Sequence, residues 1–399
     1  MIGKESIQYS LRNLKNRKTR SFFTIFSIMA GITTIFIFVS FGFGLYNYID
    51  EFTTSSSVDK VLIQPKGIAA GFDDTFSFSE DDVNAVKSSS GVYGASGIYF
   101  KMVEVEKDKK LNYVYLIAYD PANPLLLEMY DFEIVNGREL KSGDRGAVLG
   151  YNYMIADKIF TKPYELNQNI NVNGNNLKII GFYEAVGNPQ DDAQIYISND
   201  MMKELFGKNI SYSWIIAKVD TSNIDNVVDN IEKNLRKERG VEKGKEDFYA
   251  QTFQDMLESY TTILNIVIGF IILIALISVL VSSVNTANTM ITSVLERVKE
   301  IGIIKSIGGT NSEIFGIFLF ESAFLGFIAG TLGVILGWIL TSIGAQILVY
   351  VGYSFLKPDY SIGLFLGCII FAILTGAISG VIPAVKASKT NPVETLRYE

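Results

Sequence analysis

Histidine is absent from the sequence, cysteine occurs once, at Cys368, and charged residues make up only 19% of the 399 residues. Without histidine, the chain has no Ser-His-Asp or Cys-His catalytic group and no histidine-ligated metal site. A single cysteine excludes an intramolecular disulfide, so packing alone must hold any part outside the cytoplasm. Residues 240–246 come nearest to a P-loop, but they lack its spacing and its Ser or Thr. The sequence therefore carries no P-loop.

Charge is nearly absent from four long runs of the sequence. These runs are residues 21–49, 259–295, 314–356, where Glu321 is the one charge, and 360–385. A helix needs about 20 apolar residues to cross the hydrocarbon core of a bilayer. We therefore predict a multi-pass protein of the cell membrane with four spans, at residues 21–46, 259–284, 314–340 and 362–383.

The distribution of charge predicts the topology. Residues 1–20 hold six basic residues and one acid, which places this end in the cytoplasm by the positive-inside rule. They form a basic amphipathic segment, and the first span is interpreted as a retained anchor because it is too long for a signal peptide. Residues 285–313 and 384–399 are then a cytoplasmic loop and tail, and residues 341–361 are a short outside loop. Both termini are predicted in the cytoplasm.

Residues 47–258 are predicted to form a large extracytoplasmic domain. From Asp50 to Glu258 there are 34 acids and 22 bases, a net charge of −12, which leaves +5 for the rest. Strand-like runs at residues 112–119 and 213–219, the hairpin signal Asn173-Gly174 and an amphipathic helix pattern at residues 224–235 predict an α+β fold. The fold class is therefore one transmembrane helix, a large α+β domain, then three more transmembrane helices. Asp191-Asp192 is interpreted as a solvated acidic face rather than a cation site.

The cytoplasmic loop contains a predicted short amphipathic helix. Its apolar positions, on one helical face, are Val294, Val298, Ile301 and Ile304. Gly308-Gly309 is a helix-ending signal, and Thr310 with Glu313 forms a capping box that begins the third span. From the residues alone, this helix either lies among lipid headgroups or is bound by a cytoplasmic partner.

The third span carries four glycines at a spacing that allows close helix packing. They are Gly326, Gly330, Gly333 and Gly337, and this spacing favours tight bundling or dimerisation. Two pairs repeat it in the fourth span: Gly363 with Gly367, and Gly376 with Gly380. An acid in a span is a functional candidate by default; we interpret Glu321 as reaching headgroups or a basic partner rather than as a proton relay.

Residues 296–308, ERVKEIGIIKSIG, resemble the E-R-x-x-E-I-G-x-x-x-A-x-G signature of MacB/FtsX-type permease subunits of ABC transporters (type VII exporters), with Ser306 in place of the usual alanine. Residues 383–396 are similar to the closing P-A-x-x-A-x-x-x-P-x-x-A-L pattern of that family, with Thr395 in place of alanine. The basic entry at residues 10–21 and the elements at residues 137–140 and Gly150 extend the resemblance over the whole chain.

The resemblance implies a non-catalytic subunit that holds no cofactor itself. A dimer of a separate cytoplasmic ATPase would bind ATP and Mg²⁺, and a second permease chain, identical or paralogous, would complete the unit. The loop helix would couple the two through Glu296, Arg297, Glu300, Ile301, Gly302, Ile304, Lys305 and Gly308. In this scheme Ile301 and Ile304 pack into the ATPase, the charged residues make polar contacts and Gly302 permits close approach. The spans transmit motion to the outside domain for efflux or extraction of peptides, lipoproteins or drug-like molecules.

Three other functions stay open. An FtsX-like regulator would act on a cell-wall hydrolase, although about 200 outside residues favour the exporter. A sensory subunit would work with an ATPase in drug or peptide resistance. An intramembrane enzyme lacks histidine and any acid pair in the spans. Further expected partners are membrane lipids and an extracytoplasmic adaptor or hydrolase, and no nucleic acid.

Overall fold

The computed structural model describes residues 18–53, 58–66 and 77–391. The predicted basic segment before Lys18 and the closing pattern after Asn391 lie outside the described residues. The helices are α1 (Lys18–Thr53), α2 (Glu80–Lys87), α3 (Leu125–Tyr130), α4 (Asn199–Phe206), α5 (Ile224–Arg239), α6 (Phe253–Glu296), α7 (Val298–Ser306), α8 (Asn311–Val351) and α9 (Ile362–Ser388). The strands are β1 (Lys60–Pro65), β2 (Val92–Lys107), β3 (Lys110–Tyr119), β4 (Ile134–Gly137), β5 (Gly146–Leu149), β6 (Asn169–Val172), β7 (Asn175–Tyr183), β8 (Ile195–Ser198), β9 (Trp214–Val219) and β10 (Phe248–Thr252).

The described residues form two compact units. The helical unit comprises the described residues up to Tyr46, Ile263–Ile347 and the described residues from Leu356 onward. The sheet unit comprises Asn47–Thr262 and Leu348–Phe355. Each unit has its own hydrophobic clusters, as expected of separately packed bodies.

Four helices of the described chain are long and apolar enough to cross a membrane: α1, α6, α8 and α9. The predicted fold class of one span, a large α+β domain and three further spans is therefore confirmed. The helices extend beyond the predicted spans. In particular, α8 continues to Val351, so the predicted outside loop at residues 341–361 is helical over its first half. The reason is that residues 341–351 contain no proline or charge to end a helix.

A ten-stranded sheet forms the sheet unit, and β2 is shared between its two parts. The first part is the antiparallel series β10, β1, β9 and the first half of β2. In the second part, β2, β3, β8, β5, β7 and β6 each pair with two of the others. These six strands form a closed ring, which leaves no free edge where they pair.

Local sequence signals position several elements of the sheet unit. Ser79 and Asp82 make a reciprocal capping box at the start of α2. The predicted hairpin is confirmed, since Asn173 and Gly174 join β6 to β7 with φ values of +47° and +80°, as a type I′ turn requires. Helix α5 buries Val227, Ile231 and Leu235 at helical spacing, and these side chains belong to the main hydrophobic cluster.

The interpretation of Asp191-Asp192 as a solvated face is wrong. Asp192 is buried, and its carboxylate accepts hydrogen bonds from the backbone N–H groups of Val186 and Gly187. Asp191 accepts from Asn188 and from the side chain of Gln194. Burial raises the pKa of both carboxyl groups. The pair therefore shapes the loop before β8, because backbone and amide donors there need acceptors away from water.

Candidate functional site

The connection from α6 to α8 contains α7, and a break separates α7 from α6. Helix α6 ends at Glu296 and α7 begins at Val298. Between them Arg297 has φ −110° and ψ +15°, which is not helical geometry. Val294 and Val298 thus belong to different helices, and the single apolar face predicted from Val294 to Ile304 is corrected to two segments.

The far end of α7 is terminated as predicted. Gly308 has φ +99°, a conformation that favours glycine, and the N–H of Gly309 donates to the carbonyl of Ile304 at 2.9 Å. Thr310 and Glu313 then cap α8 reciprocally: the N–H of Glu313 donates to Thr310 Oγ1 and the N–H of Thr310 donates to Glu313 Oε2. The capping box fixes where α8 begins.

One side of α7 is packed inside the helical unit. Ile301 and Gly302 are buried. The hydrophobic cluster that contains Ile301 also contains Met290, Val294, Ile314, Phe318, Leu325, Ala384 and Ala387. The resemblance implies that Ile301 packs into a partner, but in this chain its side chain fills the bundle's own core. A partner that docks on α7 must therefore contact other residues.

Arg297 and Glu321 form an ion pair away from solvent. Arg297 Nη1 donates to Glu321 Oε2 at 3.0 Å, and each side chain is 5% exposed. Arg297 Nε also donates to Glu300 Oε2 at 3.2 Å, and its guanidinium lies 5.0 Å from the ring centre of Phe318. Burial makes removal of one partner costly, because a charge would stay behind without compensation. The pair fixes the start of α7 to α8, and it gives Glu321 a basic partner in the same chain.

Lys305 connects the other end of α7 to α9. Its ammonium donates to the carbonyl of Ser388 at 2.6 Å and to the carbonyl of Thr390 at 2.8 Å. These carbonyls lie at the C-terminal end of α9, where helical partners are missing and positive charge is favoured. Helix α7 is thus attached to α8 at its start and to α9 at its end.

The other side of α7 is exposed and carries apolar side chains. Ile303 is 54% exposed and Ile307, just after the helix, is 81% exposed. Ile304 and Lys305 are half-buried, and the exposed residues of the connection include Glu296, Lys299, Glu300 and Gly308. Ile303 and Ile307 were not predicted, because they lie four positions apart on a second face of the connection. The predicted apolar face of Val294, Val298, Ile301 and Ile304 is the one packed inward or half-buried.

The four glycines of α8 lie against two neighbouring helices. A Cβ at Gly326 would overlap the carbonyl oxygen of Ala372, and one at Gly330 would lie 2.6 Å from Ala372 Cβ, both on α9. On α1, a Cβ at Gly333 would lie 2.9 Å from the carbonyl oxygen of Met29, and one at Gly337 2.9 Å from Phe36 Cδ1. Within the described helices these glycines serve packing inside one chain.

The site as a whole is a short helix, α7, that is attached to two longer helices. The charged groups of Arg297 and Lys305 attach α7 to α8 and α9. Among residues 18–53, 58–66 and 77–391, no group of three or more Cys, Asp or Glu side chains is placed to hold a metal ion. What the arrangement can do is pass a displacement of α7 to two long helices at once.

Two family models together match most of the chain. A model described as the MacB-like periplasmic core domain matches residues 21–234. A model described as the FtsX-like permease C-terminal domain matches residues 263–392. The second match includes α7 and the residues that hold it.

Full-length relatives agree with these matches. An ABC transporter permease of Methanocaldococcus jannaschii is 32% identical over 401 residues, which cover 98% of each chain. The ABC transporter permease YknZ of Bacillus subtilis is 26% identical, with 99% of each chain covered. The macrolide export ATP-binding/permease protein MacB of Bdellovibrio bacteriovorus is 26% identical over 99% of this chain and 62% of its own length. The chain belongs to the family of ABC transporter permeases that combine a MacB-like periplasmic core domain with an FtsX-like permease domain.

Proposed function

We propose that this permease works with a separate cytoplasmic ATPase, which binds α7 and moves it during ATP hydrolysis. The observation that carries the proposal is the double attachment of α7, through Arg297 to Glu321 on α8 and through Lys305 to the end of α9. A helix that is attached at both ends cannot move independently, so a displacement of α7 moves α8 and α9 with it. The name of the Bdellovibrio relative joins an ATP-binding and a permease part in one protein, of which this chain covers 62%. In the proposed scheme, ATP and Mg²⁺ bind to the partner.

The proposed contact surface consists of the exposed residues of the connection. Ile303 and Ile307 supply apolar anchors, and the charged residues Glu296, Lys299 and Glu300 surround them. Exposed apolar side chains with a polar rim are typical of protein interfaces. Ile301 has no part in this contact, because it is buried in the core of the helical unit.

The proposed outcome of the coupling is motion of the extracytoplasmic domain. Two permease chains and two ATPase chains would form the unit, and the domain would export or extract peptides, lipoproteins or drug-like molecules. The names of relatives support this class of function: two are ABC transporter permeases and one is a macrolide export protein.

Co-purification tests the proposal. The tagged full chain is purified in mild detergent, and its partners are identified by mass spectrometry. We expect a P-loop ATPase in stoichiometric amount with the unaltered chain, and its loss when Ile303→Asp and Ile307→Asp are combined. These positions are exposed, so the helical unit stays folded, whereas Ile301→Asp would place a charge in the core.

A matched control replaces an exposed apolar residue of the sheet unit. Val58→Asp introduces the same carboxylate at an exposed position and should retain the ATPase. Retention of the ATPase by the Ile303/Ile307 variant, or its absence from the unaltered chain in several mild detergents, contradicts the proposal. Recovery of a cell-wall hydrolase together with the ATPase would instead support the alternative function, an FtsX-like regulator of that hydrolase.

A further inference from the structure

One face of the β2–β3 hairpin carries a row of aromatic and apolar side chains. Strand register pairs Met102 with Tyr115, Glu104 with Tyr113, and Glu106 with Leu111. Directly paired residues of antiparallel strands lie on the same face, as do alternate residues along each strand. We call the row on this face the aromatic strip; its members are Trp214, Phe100, Tyr115, Met102, Tyr113 and Leu111.

The aromatic strip is the outer face of a hairpin whose inner face is already filled. The inner face carries Val103, Val105, Val114 and Leu116, all in the main hydrophobic cluster. On the outer face Tyr113 is 68% exposed, Met102 52% and Leu111 50%. Single exposed apolar side chains are ordinary, but a contiguous row on one strand pair is typical of a binding surface.

Ring stacking holds the inner end of the strip in place. Phe100 stacks on Tyr115 with 4.5 Å between ring centres, and on Trp214 with 5.3 Å. Phe100 and Trp214 also pack against the second hydrophobic cluster of the sheet unit. The strip therefore begins on rigid rings, which bind a partner with little loss of side-chain entropy.

The charges on the strands of the hairpin are divided between its two faces, and the turn adds one of each sign, Asp108 and Lys109. Glu104 and Glu106 lie on the face of the strip. The hairpin lysines on the strands are engaged on the opposite face: Lys107 donates to the carbonyls of Lys162 and Pro163, and Lys110 donates to the carbonyl of Ile159. Lys101 likewise lies over the ring of Phe206, 5.5 Å from its centre. The strip thus combines apolar area with negative charge, which complements a cationic amphipathic ligand.

The edge of β3 beside the strip is suited to an extended ligand. On the side away from β2, β3 pairs with β8 from Leu116 to Tyr119. No other strand of the described chain pairs with β3 on that side, so residues 110–115 have no strand beside them there. A strand edge without a neighbouring strand can accept an added strand through its main-chain groups.

We propose that the aromatic strip binds an extended cationic amphipathic peptide. Its apolar side chains would cover Tyr113, Met102 and Leu111, and its Lys or Arg side chains would meet Glu104 and Glu106. The inference rests on the proposed function for peptides as a substrate class, but binding at the strip needs no ATPase, so the two proposals can fail separately.

Peptide binding by the full chain tests the proposal directly. The chain is placed in phosphatidylcholine nanodiscs without ATPase, and the probe is a fluorescent 12-residue peptide of alternating valine and lysine. Fluorescence polarisation, corrected with empty nanodiscs, measures the dissociation constant. We expect Glu104→Gln with Glu106→Gln to weaken binding about tenfold, since exposed ion pairs contribute factors of about two to five each. Tyr113→Ser should weaken it to a similar degree and Tyr113→Phe should not, which separates loss of the ring from loss of the fold.

The controls are an acidic probe and matched substitutions elsewhere on the sheet unit. A peptide of alternating valine and glutamate should bind at least tenfold more weakly than the lysine peptide. Glu242→Gln and Tyr93→Ser change exposed residues outside the strip and should leave the dissociation constant unchanged. Equal binding of the lysine peptide by all variants, or equal binding of both peptides, overturns the proposal. So does a second copy of the chain on the strip, seen as two chains per nanodisc for the unaltered chain and one for Tyr113→Ser.

Discussion

At the scale of single residues, the contact between Arg297 and Glu321 sets the position of α7. The two residues are 24 positions apart in sequence and meet in a buried ion pair. Glu300, whose side chain is exposed, accepts a hydrogen bond from Nε of the same guanidinium. Arg297 thus has one acidic partner inside the bundle and one on its surface, and the two should differ greatly in their effect on stability.

Glu321→Ala should lower the free energy of unfolding by about 3–5 kcal/mol, because it leaves the guanidinium buried without a counter-charge. Glu300→Ala is the matched control and should cost less than about 1 kcal/mol, as expected of an exposed pair. Thermal unfolding in detergent, followed by tryptophan fluorescence, measures both. Replacement of both partners by Met should restore most of the loss. Equal melting of the two alanine variants would show that the buried pair has no special weight.

Glu246 in the sheet unit gives a prediction about pH. The N–H of Gly244 donates to both of its carboxylate oxygens, and Arg236 donates to Oε1 at 3.0 Å. Led by the Gly244 hydrogen bond, these contacts lower the pKa of Glu246 from 4.5 to about 2. Because the folded pKa is the lower one, the stabilising contribution is complete above about pH 4.5 and is lost as the pH falls through about 2.

Glu246→Gln should therefore lower the unfolding temperature of the full chain by a constant amount above about pH 5. The difference from the unaltered chain should shrink toward zero as the pH approaches 2. Melting curves between pH 2 and pH 7 provide the measurement. A difference that stays constant down to the lowest pH would show that the carboxylate charge has no part in it.

The sequence predicted the element in which a residue lies better than it predicted the residues that it contacts. The Glu-Arg motif located Arg297 and Glu300 in the right loop, but a period count within the loop cannot reveal a partner 24 residues away. Burial of Ile301 escaped prediction for the same reason, because the surface that covers it comes from α6, α8 and α9. Local hydrogen bonds, such as that between Thr310 and Glu313, involve neighbours only and were predicted correctly.

At the scale of elements, glycines with the same four-residue spacing differ in how closely a neighbouring helix approaches them. Gly326 lies against the backbone of α9, where a Cβ would overlap the carbonyl of Ala372. Gly367 on α9 has no atom within 4 Å of an added Cβ. The same four-residue spacing therefore marks packed glycines in α8 but an open pair, Gly363 and Gly367, in α9. The other α9 pair, Gly376 and Gly380, lies against Ser322 of α8.

Gly326→Ala should lower the free energy of unfolding by about 1–3 kcal/mol, because the helices must move apart to admit the methyl group. Gly367→Ala is the matched control and should be neutral or stabilising by up to about 1 kcal/mol through its better helix propensity. The same detergent melts measure both variants. If the two alanines had equal effects, the close approach of α8 and α9 would not be a source of stability.

The types of the elements that the sequence predicted followed from local patterns, but pairings between distant strands did not. The hairpin of β6 and β7 was predictable since its turn lies between the two strands it joins. Closure of the ring needs β6 to pair with β2 at Val105 and Val172, and no local pattern indicates that contact. The first turn of α7 was likewise set by tertiary packing rather than by its own period.

At the scale of the whole molecule, the charge distribution makes a prediction about orientation. From the basic residues at both ends and the acidic domain between the first two spans, we predict that the termini lie in the cytoplasm and residues 47–258 lie outside. The single cysteine makes this testable, since Cys368→Ser gives a cysteine-free chain.

New cysteines should then react from opposite sides of the membrane. Glu242→Cys lies at an exposed position of the sheet unit and should be labelled by a membrane-impermeant maleimide on intact cells. Lys299→Cys is exposed on α7 and should react only after the membrane is opened. Labelling of both on intact cells, or the reverse order, would contradict the topology.

The shared strand β2 has a consequence for how the outer domain can be divided. Its first seven residues complete one sheet and the remaining nine close the ring. A fragment that kept the ring alone would expose half of β2 as an unpaired, aggregation-prone edge. One that kept the other sheet alone would leave the second half of β2 without neighbours. Gene fusions, chimaeras and recombination between relatives must therefore keep both parts of β2 together, within a sheet unit that comprises Asn47–Thr262 and Leu348–Phe355.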